Sequence, residues 1–173
     1  MALNCDNVNM AAASTSALKI QNATERDVPL ILSFIRKLAE YEKLSHQVVA
    51  TEEQLRVNLF GAHPFAEVIL AYLSDEPVGF ALFFHNFSTF LARPGIYLED
   101  LFVDPPHRGK GVGKALLIYL AKLAKQRGCG RFEWSVLDWN QPSIDFYRSL
   151  GAVPMDDWTQ FRLTGDALDR LAT

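Results

Sequence analysis

The sequence predicts an α+β fold built on one central mixed, mostly antiparallel twisted sheet flanked by helices. Three observations carry that expectation. Two capped stretches of helical periodicity come early, over residues 27–38 and 51–59. Three strand-like runs then follow one another through residues 65–103, with short turns between them. A glycine-rich turn over residues 108–113 opens a long apolar-periodic helix, after which strand and helix alternate.

Residues 18–23 alternate apolar and polar side chains and read as a first strand. Asp27 is placed to cap a helix whose first turn holds Pro29, where a missing N–H is tolerated. Leu30, Ile31, Phe34, Ile35 and Leu38 then recur at helical spacing. Thr51-Glu52-Glu53-Gln54 is a capping box, in which the threonine and glutamine side chains satisfy each other's free backbone N–H; Leu55 and Leu59 face inward from it. Residues 65–73 and 78–87 read as two strands of a hairpin across the turn at 74–77. After a loop at 88–94, residues 95–103 form another strand, stopped by Pro105-Pro106. Ala115, Leu116, Ile118, Leu120 and Leu123 are the apolar positions of the helix that follows, and Gly128 and Gly130 end it. Residues 132–137 read as a strand. Asn140 caps a short helix containing Ile144, Phe146 and Tyr147, closed by Gly151. A last strand pair is expected near Val153 and over residues 158–163.

With 173 residues, 49% hydrophobic and 21% charged, the chain has the composition of an ordinary globular domain. We expect a single domain over 18–173 after a disordered tail at 1–17, which has no signal-peptide pattern and offers Met10 as a second start. No run approaches the roughly 20 apolar residues of a membrane helix, so no membrane partner is expected. A net charge of −3 argues against nucleic acid and suits a cationic partner. Cys5 and Cys129 form no CxxC pair, and His46, His63, His85 and His107 are scattered, so no metal site is expected. This cysteine usage suits a reducing, cytoplasmic setting.

The turn Arg108-Gly109-Lys110-Gly111-Val112-Gly113 joins strand to helix. Glycines allow close backbone approach, and the free N–H groups and dipole of a helix start favour negative charge. Arg108, Lys110 and Lys114 add positive charge. A phosphate or pyrophosphate site follows; a turn kept only for tight packing is the bland alternative. The spacing is not a Walker loop, because Arg108 stands where its first glycine belongs and Ala115 follows Lys114. Nor is it G-x-G-x-x-G. It is R-x-x-G-x-G, at Arg108, Gly111 and Gly113.

That loop, the preceding run Tyr97-Leu98-Glu99-Asp100-Leu101-Phe102-Val103, and the later runs Leu137-Asp138-Trp139-Asn140-Gln141-Pro142-Ser143 and Phe146-Tyr147-Arg148-Ser149-Leu150-Gly151-Ala152 together resemble the GNAT acetyltransferase superfamily. The likeness is to its diamine acetyltransferase branch, with spermidine/spermine and thialysine enzymes. It runs from about Leu18 to the C-terminus and includes Leu38-Ala39-Glu40-Tyr41-Glu42 and His63-Pro64-Phe65. The segment at 83–90 is closer to bacterial relatives and to plant ornithine- and diamine-acetylating types, and the run at 137–140 to thialysine and plant types. The resemblance implies acetyl-CoA as co-substrate, bound by Leu101, Phe102, Val103, Arg108, Gly109, Lys110, Gly111, Val112, Gly113, Lys114, Asn140, Ser143 and Tyr147. It also implies a homodimer.

An alkyl amine, with a pKa of about 10.4, is mostly protonated at neutral pH, and only its neutral form attacks a thioester. The reaction therefore needs a proton acceptor for the amine and a donor for the leaving thiolate. Glu99, on the strand before the loop, is the candidate base, acting through a water by resemblance, or else an anchor for the ammonium group. In a regular strand Asp100 points to the opposite face, but the resemblance implies a bulge here, which would also free a backbone N–H near Leu101 or Val103 for the acetyl carbonyl. Tyr147 is the candidate acid, with a core aromatic as the alternative. Asn140 is a natural N-cap that by resemblance also contacts the coenzyme. Tyr41 and Glu42 match a family position that binds the distal amine. Trp134, Trp139 and Trp158 read as packing residues, and Cys129 as structural. The function expected is transfer of an acetyl group to the primary amine of a small cationic metabolite: a diamine, polyamine, thialysine, or ornithine- or lysine-like amino acid. A protein or peptide N-acetyltransferase and a non-catalytic acyl-CoA-binding module remain alternatives.

Overall fold

The computed structural model describes residues 17–173, so the tail expected at 1–17 lies, but for Ala17, outside the described residues. The chain groups into two compact units, the first ending at Ser135 and the second running Val136–Thr173.

The first unit holds β1 (Leu18–Asn22), α1 (Val28–Tyr41), α2 (Glu52–Phe60), β2 (Glu67–Leu73), β3 (Glu76–Ser88), β4 (Arg93–Val103), α3 (Val112–Gln126) and β5 (Arg131–Trp134). The five strands form one sheet in sequence order, antiparallel throughout except for the parallel pair β4 and β5. This is the mixed, mostly antiparallel sheet that the sequence predicts.

Local chemistry sets the element ends. Pro29 stands in the first turn of α1, as expected. Asp27 occupies the N-cap position, but its carboxylate turns back and accepts from the Thr24 N–H at 2.7 Å and the Thr24 hydroxyl at 2.8 Å, capping the preceding turn instead. The Thr51–Gln54 box closes as predicted: the Gln54 N–H donates to Thr51 Oγ1 at 3.2 Å and the Thr51 N–H to Gln54 Oε1 at 2.9 Å. Ser74 and Asp75 take positive φ values of 48° and 66° between Leu73 and Glu76, the two-residue hairpin turn whose twist matches the flanking strands.

Each helix face has its own sheet face. From α1, Phe34 stacks on Phe80 of β3 (5.6 Å, 5°) and tilts against Phe102 of β4 at 6.0 Å. Ile31, Leu59, Val68 and Leu70 complete this buried cluster. Side chains alternate along a strand, so Phe83 and Val103 point to the other face. That face belongs to α3: the Arg127 guanidinium at its C-cap lies 5.9 Å from the Phe83 ring, and Arg127 also forms a bidentate ion pair with Glu67. Cys129 and Gly128 close α3 by donating to the Ala124 and Lys125 carbonyls, with Gly128 at φ 68°.

β5 is shorter than the run 132–137 predicted for it, because its parallel pairing to β4 ends at Leu98 opposite Trp134. The second unit holds α4 (Gln141–Ser149) and α5 (Asp166–Ala172). Here the sequence expectation fails: no strand forms near Val153 or over 158–163, and Val153, Trp158 and Phe161 are exposed. An apolar run becomes a strand only where a neighbouring strand pairs with it, and these residues pair with none among those described. The closing helix α5, with Asp166 and Asp169 in its first turn, is absent from the sequence expectation; its signal is the three-residue spacing of Leu168 and Leu171.

Candidate active site

The bulge foreseen in β4 is present. Leu82 pairs with Asp100 and Phe83 with Leu98, so Glu99 is an extra residue with no partner on β3. Leu82 lies on the α1 face with Phe80, and a residue directly opposite shares its face. Asp100 therefore shares the face of Phe102, on which Phe34 packs, while the bulge moves Leu98 to the opposite face with Phe83. Glu99 stays exposed at the bulge.

This placement gathers three carboxylates. Asp100 is half-buried, and its pKa is pushed up to about 6, by loss of hydration first and then by the nearby charges of Glu99 and Glu42. Burial also raises Glu42, the C-cap residue of α1. Glu42 is held by the turn behind it. The N–H groups of Lys43 and Leu44 donate to the Glu40 and Ala39 carbonyls at 3.1 and 2.8 Å, with Lys43 in the left-handed region at φ 63°. A lysine there, where glycine is usual, fixes the path of the chain immediately after Tyr41 and Glu42. Burial and neighbouring negative charge make this cluster a place for a cationic amine and an acceptor for its proton.

The glycine turn has a different logic at each glycine. Gly109 and Gly111 have φ values of 74° and 83°, conformations that a side chain disfavours. Gly113 needs no such freedom: an added Cβ would meet only Val103 Cγ2, at 3.8 Å, an ordinary contact. The protein's own packing therefore gives no reason for glycine at 113, and a bare backbone beside the unpaired N–H groups of Val112, Gly113 and Lys114 suits a phosphate that must come close. Lys110 and Lys114 are exposed around it. Arg108, also exposed, folds back along the surface. Its Nε donates to the Val103 carbonyl at 2.9 Å, and its guanidinium lies 4.4 Å from the Tyr41 ring and 5.7 Å from that of Phe102. Lys37 adds a second tie from α1, donating to both carboxylate oxygens of Asp104 at 2.8 and 2.9 Å.

Beyond Leu98, β4 has no β5 partner, so the outer backbone edge of residues 99–103 is left open beside the start of α3. The Phe102 side chain is committed to the core, which leaves only its backbone to offer a ligand; Leu101 and Val103 are half-buried. In the second unit, Asn140 stands at the N-cap of α4, where its carbonyl accepts from Ser143 and Ile144 at 3.1 Å, but its side chain makes no cap bond to the helix. Tyr147 lies in the last turn. Its carbonyl accepts the Ala152 N–H at 3.2 Å, Gly151 bonds Arg148, and the Tyr147 ring lies 5.5 Å from that of Phe146. Among the described residues, no group of three or more His, Cys, Asp or Glu side chains is arranged to hold a metal ion, and no helix is long and apolar enough to cross a membrane.

The sequence profile of the acetyltransferase (GNAT) family matches residues 35–152. A thialysine N-epsilon-acetyltransferase of Sus scrofa is 40% identical over 91% of this chain and 98% of its own. An L-ornithine N5-acetyltransferase of Arabidopsis thaliana is 36% identical over 88% of this chain and 87% of its own. Among solved structures, an integron cassette protein from the mobile metagenome of V. cholerae superposes with a TM-score of 0.77 at 28% identity, covering 90% of this chain and 97% of that one.

Proposed function

Because the chain belongs to the GNAT acetyltransferase family, we propose that it transfers the acetyl group of acetyl-CoA to the primary amine of a small cationic metabolite. The candidate acceptors are a diamine, a polyamine, thialysine, and an ornithine- or lysine-like amino acid. The observation that carries this reading is the convergence of Glu42, Glu99 and Asp100 at a bulge that adjoins both an open strand edge and a bare helix start. When bound, the coenzyme supplies an activated acetyl thioester. The backbone N–H groups of Val112, Gly113 and Lys114, with the ammonium groups of Lys110 and Lys114, hold its pyrophosphate. Arg108 braces Tyr41 and the end of β4 through its ring contact and Nε, and by family resemblance it also faces the coenzyme. Asn140 and Ser143 remain coenzyme contacts by family resemblance.

Glu99 and Asp100 draw the ammonium group in and take up its proton, directly or through water. Asp100, at about 6, releases a proton as it binds a cation near neutral pH. A backbone N–H of the open edge at Leu101 or Val103 polarises the acetyl carbonyl. The Tyr147 hydroxyl donates to the departing thiolate, a role that rests on the family resemblance. For a diamine or polyamine, Tyr41 and Glu42 receive the distal ammonium group, a role that rests on the family resemblance. Homodimerisation belongs to the same reading and is supported by the exposed apolar side chains of Val153, Trp158 and Phe161. So does cytoplasmic residence, supported by the cysteine usage.

The test is thiol release from acetyl-CoA across a panel of free amines and one lysine-rich peptide. Release with one or more small amines and none with the peptide is expected. Release with the peptide alone would replace this reading with protein acetylation, and silence on both would leave a coenzyme-binding module.

A further inference from the structure

On the face of the sheet that carries Asp100, a row of polar side chains lies beyond the carboxylate cluster. Phe84 pairs with Tyr97, and Tyr97 with Glu133; one step further, Asn86 pairs with Gly95, and Gly95 with Arg131. Partners across a ladder share a face, and Phe84 shares Leu82's face two residues away, so Tyr97, Glu133, Asn86 and Arg131 stand on the same side as Asp100. The contacts agree. The Phe84 and Tyr97 rings meet at 5.2 Å, and Tyr97 and Ser135 share a hydroxyl–hydroxyl bond of 2.8 Å.

Gly95 is what lets the far end of the row close up. A Cβ there would stand 2.3 Å from Asn86 Oδ1 and 2.8 Å from Arg131 Cγ, so these two side chains lean across bare backbone. Both reach Glu133 Oε2, the Asn86 amide donating at 2.8 Å and Arg131 Nε approaching to 2.8 Å. The arginine contact is close but not aligned as a hydrogen bond, and buried Nε has no such partner. The guanidinium's remaining bond is a 3.3 Å one to the Phe87 carbonyl. Arg131 therefore lacks the planar, two-pronged acceptor that a guanidinium prefers.

We propose that Glu133 and Arg131 recognise the α-ammonium and α-carboxylate of an α,ω-diamino acid whose ω-amine lies at Glu99 and Asp100. This deepens the acetyltransferase reading and rests on it. The spacing fits. Two pleat steps along β4 and one strand across separate Asp100 from Glu133 by about 8–9 Å between Cα atoms. The two nitrogens of an extended ornithine- or lysine-like molecule lie about 6–7 Å apart on bonds of ~1.5 Å, leaving room for a hydrogen bond at each end. A polyamine lying along the same row would bring an ammonium group against the Arg131 guanidinium, which disfavours it.

The experiment is titration calorimetry of the full chain saturated with coenzyme A, using L-ornithine and 1,4-diaminobutane, a pair that differs only by the carboxylate. Wild type is expected to prefer ornithine. In Arg131→Met the ratio of ornithine to diamine affinity falls by about tenfold or more, and Arg131→Lys restores part of it. Arg131→Gln reads the same ratio and serves if the methionine variant does not fold, and Glu133→Gln, which meets an ammonium group, lowers ornithine affinity itself. A wild-type preference for the diamine, or a ratio unchanged across the folded variants, would make Arg131 and Glu133 a structural ion pair and overturn the inference while leaving acetyl transfer intact. Failure of coenzyme A to bind, together with no thiol release from acetyl-CoA with any amine, would overturn both.

Discussion

Replacing Asp100 with asparagine removes a charge that folding has to desolvate. The folded carboxyl, at about 6, holds its proton more tightly than the ordinary aspartate at 3.8 does. Wild type therefore enjoys the protonated carboxyl's full contribution below about pH 4 and loses it as pH rises through about 6. Each tenfold change in proton affinity is worth about 1.4 kcal/mol, so the ionised carboxylate penalises folding at pH 8 by at most ~3 kcal/mol, and by ~1–2 kcal/mol once solvent screening of a half-buried group is counted. The asparagine side chain has the same shape without the charge. Urea denaturation of wild type and Asp100→Asn at about pH 4 and pH 8 reads this directly, because the other titrating groups cancel in the difference. The variant is expected to be more stable at pH 8 by ~1–2 kcal/mol and nearly equal near pH 4. A stability difference independent of pH, or a variant less stable at pH 8, would refute the account of Asp100 as a carboxylate held against its preference. The same variant should raise the KM for the amine. A gain in stability with a loss of substrate affinity is what a site strained for function produces.

Gly113→Ala tests the bare helix start. Its Cβ fits at 3.8 Å from Val103, so the melting temperature should hold or rise, while coenzyme A affinity by calorimetry falls about tenfold or more; unchanged affinity would mean the backbone there touches no ligand. Tyr147→Phe should lower turnover while leaving acetyl-CoA binding nearly intact, and turnover unchanged at every pH would remove Tyr147 from the acid role. Phe34→Ala should destabilise by about 3–5 kcal/mol in denaturant melts, since it opens a cavity between Phe80 and Phe102; a cost below ~1 kcal/mol would show that the cluster refills the space.

What the sequence makes legible is what local chemistry decides. Thr51 and Gln54 are three residues apart and announce their box; Arg108, Gly111 and Gly113 announce a strand-to-helix anion turn. The register of β4 is legible only through family resemblance, because a bulge is set by pairing with β3 and leaves no mark in the composition of residues 97–103. The meeting of Asn86 with Glu133, and of Arg108 with Tyr41, joins residues far apart in the chain, and no spacing rule reaches across that separation. The charge of Arg108 suggests a phosphate contact, but it does not announce the Val103 carbonyl and the Tyr41 ring that the fold also places beside it. The strands expected after Val153 show the opposite error, in which apolar character is taken for pairing although no neighbouring strand is available.

The parting of β4 from β5 leaves a seam, the outer backbone edge of residues 99–103, without a strand partner, although the Val103 carbonyl accepts from Arg108. Such a seam is a template for any extended segment, including one from another copy of the chain. Glu99 projects a charge at the point where the seam opens, and charge at an exposed strand edge is a standard deterrent to such templating. The residue proposed for proton transfer thus also stands where a charge deters pairing between copies. Neutral variants made to test its chemistry should be less tolerant of concentration, and more so when the seam is empty than when coenzyme occupies it.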